Sequence, residues 1–278
     1  MENFVYFKPQ TLKECVSLLQ EHENAVVMNG GTDIIVQMRE GHIIPSVIVD
    51  VKNIPDLQGI KVSPDEIFIG GVVTMSQVIE HPELKVRYPY LCAAADSVGS
   101  IQIRNRATIA GNIVNASPLA DTATPLLCLN AVIHTYGPNG TRTIPLTDFF
   151  VFVRKTLLEP YEIVTGISFA ADALDEGVFT KLARRAEVDL STVCCTVGRK
   201  GGEIRIAFGS VAPTPLRLYD VENYLKDKSL TDEVINEARN IARQSVKPIS
   251  DIRATKEYRL DMVQNLLEDA LRSLKKEG

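Results

Sequence analysis

Two glycine-bearing segments constrain this chain more than any other feature. Val27-Met28-Asn29-Gly30-Gly31-Thr32-Asp33 and Thr108-Ile109-Ala110-Gly111-Asn112-Ile113-Val114-Asn115-Ala116-Ser117-Pro118-Leu119-Ala120-Asp121 each run from apolar residues through small and hydroxyl side chains to an aspartate that opens a predicted helix. Glycine lets a backbone approach a ligand closely and leaves N–H groups open. A helix start adds the positive end of a dipole. Two such loops in one chain suit an elongated ligand with a pyrophosphate, such as a dinucleotide. No Gly-x-Gly-x-x-Gly follows a strand and no Gly-x-x-x-x-Gly-Lys-Ser/Thr is present, which argues against a Rossmann site and a P-loop.

Residue chemistry alone leaves both loops open to two readings. Gly30-Gly31-Thr32-Asp33 also describes an ordinary turn into a capped helix. In the second loop, Asn112, Asn115 and Ser117 offer amides and a hydroxyl, and Pro118 fixes the chain entering the next helix. Asp121, in that helix's first turn, either serves the helix dipole or accepts from a ribose or ribitol hydroxyl. On the second reading Thr108, Gly111 and Asn112 bond to phosphate or ribitol. Arg104 and Arg106 flank the entrance. Lys181, Arg184 and Arg185, on a strand before Glu187 and Asp189, form either a cluster that tunes a cofactor or a surface ion-pair network of little energetic value.

The 278 residues are enough for two domains, and 45% hydrophobic with 23% charged residues is ordinary for a globular protein. A net charge of −5 argues against a nucleic-acid groove. No apolar run approaches a membrane span, and Met1-Glu2-Asn3-Phe4 opens no signal-like segment. The expectation is a cytoplasmic protein with neither nucleic acid nor membrane as partner. The five cysteines contain no Cys-x-x-Cys and the four histidines show no ligand spacing, so no metal site is expected within the chain. No Ser-His-Asp or Cys-His arrangement can be argued, so no catalytic residue is assigned.

Periodicity and capping predict an α+β chain. Helices are expected at 11–22, opened by Thr11-x-x-Glu14, at 32–39, after Thr74-x-x-Gln77 until His81-Pro82, at 89–97 and, buried, at 119–129. Strands are expected at 25–28, 47–51, 67–69, 132–136, 142–144 and 162–169, with Gly137-Pro138-Asn139-Gly140 as a hairpin turn. Composition changes near 170–176. Beyond it, strands at 179–183, 191–199 and 203–211 precede helices at 217–225, 231–245 and 254–275.

Taken together, these segments resemble the flavoprotein (medium) subunit of the molybdenum hydroxylases, the xanthine dehydrogenase and carbon monoxide dehydrogenase family. The resemblance covers nearly the whole chain. Its most specific motif runs from Gln102-Ile103-Arg104-Asn105-Arg106-Ala107-Thr108 to Gly111-Asn112, Ser117-Pro118 and Asp121. Gly30-Gly31-Thr32-Asp33, Arg154-Lys155-Thr156-Leu157-Leu158, Lys181-Leu182-Ala183-Arg184-Arg185, Asp251-Ile252-Arg253-Ala254 and Glu257-Tyr258-Arg259 support it.

The resemblance implies a vanillyl-alcohol-oxidase-type FAD-binding fold of two α+β subdomains, about 1–55 and 56–172, and a C-terminal α+β domain, 173–278. It implies FAD held by Val26, Val27, Met28, Asn29, Gly30, Gly31, Thr32, Asp33 and Ile34 around the pyrophosphate. Thr108, Ile109, Ala110, Gly111 and Asn112 would form the opposite wall, with Ser117 and Asp121 behind it and Val98, Val164 and Lys181 contributing further contacts. Ala110 departs from the family, whose members often have a second glycine there. The implied role is electron transfer, from 2Fe–2S clusters on a small partner subunit through FAD to an acceptor such as NAD. A large partner subunit would carry the molybdenum cofactor, within a dimer of heterotrimers. A stand-alone FAD oxidase and a scaffold without flavin are the alternatives.

Overall fold

A computed structural model describes residues 2–186 and 188–276. The chain opens as β1 (Val5–Phe7), α1 (Leu12–Glu21), β2 (Ala25–Met28), α2 (Ile34–Arg39) and β3 (Val47–Asp50). The three strands form a parallel sheet in the order β1-β3-β2, with Val47 opposite both Val5 and Ala25. Parallel neighbours need crossovers, and α1 supplies one. Cys15, Val16 and Leu19 bury its inner face. Thr11 caps α1 by accepting from the Glu14 N–H at 3.1 Å, but Glu14 reaches back to the Gln10 N–H at 2.7 Å rather than to that of Thr11. Only half of the expected capping box therefore forms.

A five-stranded antiparallel sheet follows, built from β4 (Ile60–Val62), β5 (Glu66–Gly70), β6 (Val132–Gly137), β7 (Gly140–Pro145) and, as its central strand, one from further along the chain. Between β5 and β6 lie α3 (Met75–Glu80), α4 (Pro82–Arg87), α5 (Pro89–Asp96), α6 (Ile101–Arg104), α7 (Ile109–Val114) and α8 (Ala123–Cys128). Ile67, Ile69, Leu91, Ile109, Leu126, Ile133 and Phe149 join sheet and helices in one core. At α3 the Thr74/Gln77 capping box is complete. α3 ends at Glu80, as expected ahead of His81-Pro82, and Pro82 then opens a further helix, α4, where a missing N–H costs nothing.

After β7 come α9 (Leu146–Phe149), the small hairpin of β8 (Phe150–Phe152) and β9 (Lys155–Thr156), and then the central strand β10 (Ile163–Ala170), paired with β5 and β6. The hairpin was not expected. Its two strands are too short to show alternation.

The last part is an antiparallel sheet of β11 (Glu176–Leu182), β12 (Val193–Lys200), β13 (Glu203–Gly209) and β14 (Leu216–Arg217), with α10 (Tyr219–Leu225), α11 (Asp232–Ser245) and α12 (Lys256–Lys276). Alternation along β12 shows both faces in use. Val193, Cys195 and Val197 pack with Ile235, Leu267 and other residues of these helices. Cys194 and Thr196 face the earlier part of the chain, where Thr196 Oγ1 meets Thr124 Oγ1 on α8 at 2.8 Å. The architecture is α+β. Among the described residues no helix is long and apolar enough to cross a membrane.

Candidate functional site

The segment between β2 and α2 and the segment 104–121 lie against each other. Gly30 is the point of contact: a Cβ there would lie well inside van der Waals distance of the Arg106 carbonyl oxygen and 3.0 Å from Ala107 Cα. Gly31 takes φ +78°, a conformation that glycine adopts without strain. The two glycines thus answer different demands: Gly30 lets the two backbones touch, and Gly31 makes the turn. Among the described residues none accepts a hydrogen bond from the backbone N–H of Gly30, Gly31, Thr32, Asp33 or Ile34. All five residues are half-buried. The N–H groups from Gly31 to Ile34 precede the first bonded turn of α2, in which Ile35 donates to the Gly31 carbonyl, and a helix start leaves such donors free. Such a row suits the oxygens of a phosphate or pyrophosphate.

Asn29 ties this row to the second segment. Its amide donates to the Gly71 carbonyl at 2.9 Å and to Thr108 Oγ1 at 3.4 Å. Thr108, 2% exposed, caps α7 by accepting from the Gly111 N–H at 2.9 Å. Residues 109–114, expected in the loop, are therefore helical. Thr108 and Gly111 are thus bonded to each other at the start of this helix. Asn112 Oδ1 accepts from Thr122 Oγ1 at 2.6 Å. Ile109 and Ala110 are buried, and Ala110 has no left-handed backbone angle, so its position in α7 makes no demand for glycine's conformational range. Val26 and Val27 lie on β2 and Met28 at its end, with their side chains packed into the small cores beneath. Ile34 begins α2 and packs beside Met28.

Asp33 does not cap α2. Its side chain makes no capping hydrogen bond. Its carboxylate instead accepts from Gln37, from Asn115 Nδ2 at 3.2 Å and from Arg154 Nη1 at 3.0 Å. Arg154, at the turn of the β8–β9 hairpin with φ +59°, also bonds to the Asn115 side chain, and its N–H donates to the Ala116 carbonyl at 3.0 Å. One arginine thus fastens both loops from the outside. The sequence-level resemblance included Arg154, but nothing in residue spacing assigned it this contact.

Asp121 precedes Thr122, the N-cap of α8, and so lies ahead of the helix rather than in its first turn. The carboxylate, 5% exposed, accepts from Lys181 Nζ at 2.8 Å, from Ser97 Oγ at 3.1 Å and from Ser191 Oγ. Lys181 also donates to the Ser97 carbonyl at 2.8 Å. Ser97 and Ser191 are site neighbours that no motif pointed to. Opposite Lys181 on β12, burial first and then the adjacent Asp121 carboxylate push the Cys194 thiol well above its ordinary value. The backbone is clasped too, because the Ser210 N–H donates to the Pro118 carbonyl at 2.8 Å. Ser117 Oγ accepts from the Leu119 N–H at 3.2 Å, which holds the turn.

Other expected residues are placed differently. Val98 is half-buried beside the core, and Val164, 8% exposed, turns its side chain into it. Arg104 is tied to Asp96 at 3.0 Å and to the Gly99 carbonyl at 3.0 Å, away from the loops' entrance. Arg106 is exposed and meets the first loop through its carbonyl. Lys181 does not join a cluster with its neighbours: Arg184 donates to the Ile252 carbonyl at 3.3 Å, and Arg185 pairs with Asp189 at 3.5 Å. Glu187 lies outside the described residues. Among the described residues no three His, Cys, Asp or Glu side chains gather to hold a metal ion.

A row of acceptor-free amides, set between a small parallel sheet and an antiparallel one, has the chemistry of an anion-holding site. Residues 2–170 match the family described as the FAD binding domain in molybdopterin dehydrogenase, and residues 178–274 match the CO dehydrogenase flavoprotein C-terminal domain. The chain belongs to the molybdenum hydroxylase flavoproteins, as an FAD-binding medium subunit of oxidoreductases. The xanthine dehydrogenase FAD-binding subunit of Escherichia coli O157:H7 is 33% identical over 96% of this chain and 94% of its own. The carbon monoxide dehydrogenase medium chain of Hydrogenophaga pseudoflava is 32% identical over 96% of each. A solved structure of that organism's carbon monoxide dehydrogenase, lacking the Mo-pyranopterin moiety, superposes with a TM-score of 0.92 at 30% identity, covering 98% of this chain and 96% of that one.

Proposed function

We propose that the chain holds FAD across its cleft and relays electrons within a larger molybdenum hydroxylase. The observation that carries this reading is the row of acceptor-free N–H groups at Gly30–Ile34, facing a second segment that the family match over residues 2–170 also includes. The residues present fit the group: the row offers donors to a pyrophosphate, and Arg154 compensates the Asp33 carboxylate that would otherwise repel it. Val26 to Ile34 would follow the pyrophosphate, with Thr108 to Asn112 opposite. Ser117, Asp121 and Lys181 would support the wall, and Val98 and Val164 would meet the ligand from the core side. Bound FAD would supply the redox chemistry, and the residues of this chain would hold and orient it.

In this reading residues 1–172, with subdomains about 1–55 and 56–172, form the FAD-binding unit, and 173–278 the C-terminal domain. The partners are a large subunit with the molybdenum cofactor and a small subunit with 2Fe–2S clusters. The acceptor is NAD or another soluble carrier, the assembly a dimer of heterotrimers, and the location the cytoplasm. The deciding experiment is the visible spectrum of the purified complex, with acid-released flavin quantified per chain. About one FAD per chain, with iron–sulfur absorbance from co-purifying subunits, is expected. No flavin after reconstitution would overturn the assignment.

A further inference from the structure

Just behind the amide row, a charge pair of a half-buried lysine and a buried aspartate reaches its first peptide. Lys52 follows β3, and its Nζ lies 3.1 Å from the Asn29 carbonyl oxygen and 2.7 Å from Asp50 Oδ1. Asp50, 4% exposed, also accepts from the Lys52 N–H at 3.1 Å and from the Tyr6 hydroxyl. The Lys52 ammonium is therefore neutralised and positioned from below, with its remaining donor capacity aimed at one carbonyl. The Asn29–Gly30 peptide is trans, so its C=O and N–H point in opposite directions. Holding the carbonyl toward Lys52 turns the Gly30 N–H to the other side, where among the described residues it finds no acceptor. The same peptide is pinned at its other corners, by the Asn29 amide on Gly71 and by Gly30 against Arg106.

We infer that Lys52 is a positioning residue for the dinucleotide: through the Asn29 carbonyl it sets the Gly30 N–H to donate to the pyrophosphate. The inference rests on the assignment of the Gly30–Ile34 amides to that group. Lys52 acts here by a hydrogen bond and not as a free charge, because Asp50 cancels its field. A charged donor freed from such a carbonyl leaves the peptide able to rotate, and a charge-assisted hydrogen bond of this kind is worth about tenfold in an equilibrium.

The test uses the full-length chain stripped of flavin and titrated with FAD, with ADP as a competitor that carries the adenosine and the pyrophosphate without the ribityl flavin. Lys52→Met and Lys52→Gln are made in an Asp50→Asn background, so that no carboxylate is left unpaired; against Asp50→Asn alone, Lys52→Met is expected to weaken both FAD and ADP about tenfold, and by the same factor at low and high salt, since a hydrogen bond is not screened as a free charge is. Lys52→Arg, which keeps the donor, is expected to stay within about twofold, and Lys52→Gln to fall between. If Lys52→Met loses stability in a thermal melt, the Arg and Gln pair still decides. Unchanged affinity in the Met and Gln variants, or a loss that vanishes in high salt, overturns the positioning role while leaving the cleft assignment intact. FAD binding by the unaltered chain without competition from ADP overturns the cleft assignment itself.

Discussion

Asp121 and Lys181 form an ion pair whose side chains are only 6% and 14% exposed, which makes a double-mutant cycle the sharpest test of the site's architecture. In Asp121→Ala the ammonium keeps a single partner, the Ser97 carbonyl, and an uncompensated buried cation costs about 3–5 kcal/mol. Ser97 Oγ has the Ala94 carbonyl to turn to, at 2.8 Å, but Ser191, fully buried, loses its acceptor and adds about 1 kcal/mol or more. Lys181→Met strands the carboxylate instead, with two hydroxyl donors to soften the loss, at about 3 kcal/mol. The double variant removes both charges and retains only the packing defect and the unsatisfied Ser191. It should be less destabilised than the sum of the singles by about 2–3 kcal/mol. Urea unfolding of the four proteins measures this coupling. Additive losses, with coupling under about 0.5 kcal/mol, would mean that water reaches the pair, and would refute the view that it seals the junction between the two parts of the chain.

Three further outcomes follow from other parts of the chain. Gly30→Ala drives a methyl into the Arg106 carbonyl, so the loops must part; the expected cost is about 1–3 kcal/mol in a thermal melt, with FAD affinity lowered alongside. Arg154→Met changes stability by less than about 1 kcal/mol because the pair with Asp33 is half-exposed, yet it weakens FAD binding by leaving that carboxylate uncompensated; adding Asp33→Asn should restore much of the affinity, and calorimetric titration reads both. Asp251 is pushed up by burial, but the Arg253 N–H and the Arg259 and Arg253 guanidinium groups outweigh this and hold it down to about 2. A carboxylate lowered on folding gives its full stabilisation above its unfolded value of about 4, and that stabilisation is lost as pH falls through 2. Asp251→Asn should thus be less stable at neutral pH and lose less stability between about pH 4 and 2 in acid titrations followed by circular dichroism.

Regular elements with strong local signals were legible in the sequence. β2 begins and ends where its apolar run does, the β6–β7 hairpin turns at Gly137–Gly140, and α11 starts after Thr231. Elements that depend on distant partners were not. α7 is a single turn and a half whose apolar residues, Ile109, Ala110 and Ile113, mean little until a core forms around them. α8 is shorter than its apolar run because residues 117–121 are held in a turn by Ser117 and by contacts from the later sheet. At the site, chemistry-bearing residue types were visible but their partners were not. Asp33 looked like a cap, and Asp121 like a helix-start or ligand acceptor. Arg154 and Lys181 lie 121 and 60 residues away from them, respectively, and claim both carboxylates. Gly30 and Gly31 were recognisable as special, but only the folded chain separates a backbone contact from a turn.

The contacts from the later sheet also govern when the cleft can be completed during synthesis. Arg205 donates to the Cys128 carbonyl at 3.1 Å and Arg217 to the Leu127 carbonyl at 3.1 Å, finishing the C-terminal end of α8. Arg259, 2% exposed, holds the Thr192 and Ser210 carbonyls at 2.6 and 3.1 Å on either side of the residues that clasp Asp121 and Pro118. A nascent chain halted after its first two sheets would carry open carbonyls on α8 and an unanswered carboxylate beside them. The ribosome must release Arg259 before the wall behind the second loop is whole. The wall behind the second segment is therefore complete only after the last helix has docked.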